Sequence, residues 1–146
     1  MPRRTASAVA VAASLLCACA APPHASPTLY ERMGGERALR QAVGEMVDRA
    51  STDPHTARHF EDVNLAHVKK GLFAQFCDLS GGPCRYGGDP MGDVHGGMQI
   101  TEGDFYTMVQ ILRDALGHAG VGEREKNELL RMLAPFKRDI VTGHAP

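Results

Sequence analysis

The chain has 146 residues, room for one domain around a single core, and its 43% apolar content is that of a folded globular protein. A formal charge of −1, with no basic stripe interleaved with aromatics, argues against nucleic acid as a partner. Nothing in the body of the chain approaches the roughly 18 consecutive apolar residues that a membrane-spanning helix needs.

The N-terminus reads as an address. "MPRRTASAVAVAASLLCACAAPP" places Arg3 and Arg4 before an apolar run from Ala8 to Leu16 and then small residues, the three-part pattern of an export signal. Leu16-Cys17-Ala18-Cys19 resembles a bacterial lipoprotein box. Cys19 is the expected lipidated residue, with ordinary cleavage near Ala20 or Ala25 as the alternative. On this reading residues 1–18 are signal, 19–27 a linker stiffened by Pro22, Pro23 and Pro27, and 28–146 the folded domain. The product is exported, periplasmic or held at a membrane only through an N-terminal lipid. Losing Arg3 and Arg4 takes the formal charge from −1 to −3.

From Thr28 onward the pattern is helical. No stretch alternates over strand length with β-branched residues. Leu39, Val43, Met46, Val47 and Ala50 recur at helical spacing and stop before Asp53-Pro54, where proline breaks a helix. Leu65, Val68, Leu72, Phe76 and Leu79 form a second stripe, ended by "SGGP". A third runs Phe105, Met108, Val109, Leu112 and Leu116, opened by Thr101 as N-cap with Asp104 three residues on, as in a capping box. A fourth runs Leu129, Leu133, Phe136 and Ile140. Short segments remain at 29–33, 55–63 and 89–98. The fold class is all-α.

The stretch from Ser80 to Met98 does not suit a plain bundle. It is rich in Gly and Pro and carries "MGDVHGGMQIT" at its end, where Gly92, Gly96 and Gly97 surround His95. Glycine costs stability in any regular element, and a segment so composed is expected to be weakly held. A cofactor filling the space between the second and third helices would repair that. A histidine delivered from a loose segment to a flat apolar body suits an axial haem ligand. The plain alternative is a surface histidine in a loop.

"LYERMGG" at 29–35, "HFEDVNL" at 59–65, "GGPCRY" at 81–86, "MGDVHGGMQIT" at 91–101 and "DF" at 104–105 resemble, in order, the landmarks of group I truncated haemoglobins. The likeness spans about Leu29 to Val141. It implies a two-over-two helical sandwich around a non-covalent haem b, with His95 as the proximal iron ligand and the glycines letting a nearly unwound segment lie against the macrocycle. Phe60, Phe76, Tyr86 and Phe105 match pocket-lining positions, and Met91 and Val94 flank the proximal side. Val68 and Leu72 face the cofactor from the second helix. Plain core packing is the alternative for each. Where the family often has basic residues before the histidine to meet the propionates, this chain has Asp89 and Gly92; Arg85, Lys69 or Lys70 are the substitutes available.

The distal side departs further from the pattern. Many relatives carry a tyrosine on the first long helix and a glutamine on the second; here Val47 stands at the first position, and Val68 and Leu72 stand where polar partners often sit. The ligand pocket formed by these three is therefore expected to be apolar, with Gln75 the one nearby amide, turned more toward a neighbouring helix or solvent. His67 borders the second stripe, and His55, His59, His118 and His144 are expected in solvent. Cys77 and Cys84 bracket "DLSGGP"; in an exported chain they read as a disulfide worth about 2–3 kcal/mol, with free thiols as the alternative. The resemblance implies O2, NO or CO as ligands and an external reductant, with nitric oxide or peroxide chemistry open. The competing function is that of a non-haem helical envelope lipoprotein.

Overall fold

Two threonines open helices in the same reciprocal way. The Thr28 hydroxyl accepts from the Glu31 N–H at 3.2 Å, and the Glu31 carboxylate accepts from the Thr28 N–H at 2.8 Å, starting α1 (Leu29–Arg32). Thr101 and Asp104 repeat the exchange at the start of α5 (Glu102–His118), as the spacing predicts. The box at Thr28 serves a single turn, too short to leave an apolar stripe in the sequence. The computed structural model describes residues 26–143, and every regular element among them is helical.

Between these caps run α2 (Gly35–Ala50), α3 (Leu65–Leu79) and α4 (Met91–His95); α6 (Glu123–Leu133) and α7 (Lys137–Ile140) close the chain. Asn64 caps α3 by accepting from the His67 N–H at 3.1 Å. The first three expected helices lie where their stripes place them. The fourth does not run through: Pro135 has no N–H to donate to the carbonyl four residues back, and the backbone tightens to a 3₁₀ turn over Ala134–Phe136 before α7.

The apolar faces decide the packing. α2 lies across α5 and against α3, α5 packs on α6, and α1 closes on α6. Leu39, Leu116 and Leu129 are at most 1% exposed at the centre, each contributing about 1.5–3 kcal/mol by burial. Val43, Phe76, Ile111 and Leu112 complete the same cluster.

The segment after α3 is held more firmly than its composition suggests. Cys77 and Cys84 are bonded, with their α-carbons 5.7 Å apart. The Asp78 carboxylate accepts from the Tyr86 N–H at 3.0 Å and from Arg85 at 3.2 Å. α4 packs on α7, and beyond α7 the N–H groups of Thr142 and Gly143 donate to the Ile100 carbonyl at 3.1 and 2.9 Å. The glycines have a local task, which corrects the expectation of a nearly unwound segment. A Cβ on Gly96 would lie 3.0 Å from the Gly92 carbonyl oxygen, and Gly97 sits at φ +78°. They end a regular α4 in little space.

Candidate functional site

His95 is the last residue of α4 and is half-buried. Its Nδ1 lies 2.9 Å from the Met91 carbonyl oxygen, one turn back. A carbonyl can only accept, so Nδ1 carries a proton, and in the neutral tautomer this fixes, Nε2 holds the lone pair. Among the described residues Nε2 has no protein partner. The preceding residue on α4, Val94, leaves its apolar side chain 48% exposed. A neutral imidazole anchored through one nitrogen and open at the other, with an apolar neighbour, is the donor that haem iron takes on its proximal side. These residues fit that group.

The other candidate positions divide by burial. Phe60, Leu72 and Phe76 meet in the central apolar cluster, with Phe76 only 3% exposed. Val68 precedes Leu72 by one turn on α3 and is half-buried, as are Met91 and, on the first turn and a half of α5, Phe105. Val47 is fully buried on α2. None of Val47, Val68 and Leu72 carries a hydrogen-bonding side chain, and α2 packs directly on α3. Tyr86 is held in the loop before α4, its hydroxyl donating to the Asp89 carbonyl at 3.2 Å.

The basic substitutes for a propionate clamp are mostly engaged elsewhere. Arg85 pairs back with Asp78, and Lys69 pairs with Asp48 on α2 at 2.6 Å. Lys70 lines a cleft of about 290 Å³ between α2 and α3 together with Arg40, Val43 and Phe73. His67 is exposed at the start of α3.

One residue departs from its expected surroundings, and a second takes one of the two that were open to it. His59 is drawn in from solvent: its side chain is 10% exposed, and its Nε2–H donates to Asp104 at 3.3 Å. Arg58 donates to the same carboxylate, so the 3₁₀ turn over Ala57–Phe60 is tied to the start of α5. Burial pushes the Asp104 carboxyl up, but the Thr101 N–H and hydroxyl, His59 and Arg58 together outweigh it and hold the group well below the usual carboxylate range. A polar cleft of about 420 Å³ opens beside this cluster, lined by Arg58, His59, Gln99 and Thr101 but not by His95. Gln75, expected toward a neighbouring helix or solvent, faces a helix: it is 7% exposed, and its amide donates to the Met91 sulfur on α4 at 3.5 Å. Neither link has a sequence signal beyond the capping box that places Asp104, because each joins elements distant in the chain. His118, exposed as expected, pairs with Glu45. His24, His144 and Cys19 lie outside the described residues.

The bacterial-like globin family model matches residues 28–142. The chain belongs to that family. This globin is 35% identical over 118 residues to the group 1 truncated hemoglobin GlbN of Mycolicibacterium paratuberculosis, covering 81% of this chain and 87% of that protein. It is 30% identical to the GlbN of a Nostoc species over 78% of this chain and 97% of the relative. Among solved structures, the Fe(III) form of the truncated hemoglobin from Tetrahymena pyriformis is similar at a TM-score of 0.75 and 27% identity, covering 79% of this globin and 98% of that chain. The helix pairs described above, α2 with α3 and α5 with α6, are thus the two layers of a truncated globin.

Proposed function

We propose that this globin holds haem b through His95 Nε2 and reversibly binds diatomic gases, O2, NO or CO, against a distal wall of Val47, Val68 and Leu72. The bond from His95 Nδ1 to the Met91 carbonyl carries the reading, because it leaves one imidazole nitrogen committed and the other free. When bound, the haem iron supplies the open coordination position at which a gas is taken up.

The polypeptide does the rest. The Met91 carbonyl fixes the rotation and tautomer of the imidazole and makes Nε2 a better donor to a metal. Phe60 and Phe76 supply aromatic surface on the side of the central cluster, Phe105 supplies it from the start of α5, and Met91 and Val94 supply apolar surface from the helix that carries His95. Val47, Val68 and Leu72 offer a gas no donor. O2 gains negative charge as it binds and is retained by donors worth about 0.5–1.5 kcal/mol each, whereas CO depends on them far less. Such a wall favours CO and shortens the stay of O2. Transient gas or redox chemistry with an external reductant, nitric oxide consumption among the choices, suits that pocket better than storage.

Export is part of the same proposal. The pattern of residues 1–18 supports an extracytoplasmic location, with Cys19 as a lipid anchor, and a bonded Cys77–Cys84 pair is at home in an oxidising compartment. The test of the haem reading is His95→Gly. The unaltered protein should be red with a Soret band; the variant should lose it and regain it when imidazole is added. A spectrum unchanged by the substitution would overturn the ligand assignment, and a colourless unaltered protein would favour the helical lipoprotein instead.

A further inference from the structure

We infer that Gln75 is a positioning residue for His95, acting from α3 through Met91. The inference rests on His95 being the iron ligand, and it starts from what holds α4 in place. At five residues α4 is far below the ~12–15 residues at which a helix persists by itself, so its position must come from its contacts. Its far side packs on α7. On the near side, Gln75 reaches it from α3.

The Gln75 amide is buried, and its recorded partner is the Met91 sulfur at 3.5 Å. A thioether is a weak acceptor, and a buried amide left unpaired is costly, so this donor ties the sulfur to one place. Met91 is also the first residue of α4 and the residue whose carbonyl takes the His95 Nδ1–H at 2.9 Å. Side chain and carbonyl of one residue therefore link the distal helix to the rotation of the proximal imidazole. Two earlier attachments, Cys77–Cys84 and Asp78 with the Tyr86 N–H, fix where the connecting loop leaves α3. Gln75 with Met91 is the attachment next to His95 itself.

The experiment uses the full haem-loaded protein with Gln75→Leu, Met91→Leu and the pair combined. Each single change should speed haem loss to an excess of acceptor apoglobin about tenfold or more, as losing a partner behind a metal ligand does. Each should also shift the iron–histidine stretching band of the ferrous protein in resonance Raman spectra, which a merely structural role would not move. The combined variant should be no worse than either alone, because all three break one contact. Met91→Leu conserves volume and carries the test should Gln75→Leu not fold. His95→Gly with imidazole is run beside them. Without imidazole rescue, the ligand assignment fails. If that arm behaves and the leucine variants leave band and loss rate unchanged, or their effects add, the positioning role is overturned.

Discussion

At the scale of single residues, the proposed site rests on one nitrogen without a protein partner and three side chains that carry no hydrogen-bonding group. His95 owes its free Nε2 to the Met91 carbonyl, and that arrangement needs only a helical turn between positions 91 and 95. Val47 is the more informative residue for ligand choice. It is fully buried on α2, so a larger polar side chain there must either enter the proposed ligand pocket or displace its neighbours. In Val47→Tyr the phenol is expected to donate to bound O2 and slow its release about tenfold, equivalent to ~1.4 kcal/mol, with CO release little altered. The overpacking should cost about 1–3 kcal/mol of stability. Stopped-flow displacement of O2 and CO measures both rates, and equal slowing of the two would show a steric barrier and no new bond.

At the scale of elements, the short pieces depend on the long ones. The 3₁₀ turn that carries Phe60 is tied to the start of α5 by a single carboxylate, Asp104, through Arg58, His59 and Thr101. Removing it in Asp104→Ala takes away the reciprocal half of the capping box and leaves those donors without their carboxylate, at about 2–3 kcal/mol. The same group makes stability depend on pH. Its folded pKa is depressed, so its contribution is complete above the ordinary aspartate range near 4 and is withdrawn as pH falls through that range toward the lower folded value. Thermal unfolding followed between neutral pH and pH 3 should show a steeper loss in the unaltered protein than in Asp104→Asn. Parallel curves would remove Asp104 from the account of acid sensitivity.

At the scale of the molecule, two layers of helices surround one core, and the disulfide pins the start of the long connection from α3 to α5 that carries the candidate ligand. Cys77→Ser with Cys84→Ser should cost about 2–3 kcal/mol by the chain-entropy estimate, measured as a lower denaturant midpoint with an unchanged slope. Intact-mass measurement of the mature protein from cell envelopes should find two hydrogens missing at this pair and residues 1–18 absent. Free thiols on a cytosolic chain that keeps its N-terminus would reject the exported reading.

Much of this was written in the local pattern. The stripes ending at Ala50, Leu79 and Leu116 define three long helices because burial of one face at helical spacing is a local property of sequence. The Thr101–Asp104 cap is equally local, and the landmarks around His95 were enough to mark the globin, although the regular turn from Met91 to His95 was not read from them. Pro135 was also legible, yet the stripe through Leu133, Phe136 and Ile140 masked the break, since a 3₁₀ turn keeps nearly the same face buried. What only the tertiary structure decided are the links across the chain: His59 and Arg58 on Asp104, α4 on α7, and Gln75 on Met91. Each joins groups whose meeting depends on how whole helices pack, so neither periodicity nor spacing records it. Sequence specifies which faces must be buried. The packed fold alone determines which polar groups those faces bring together.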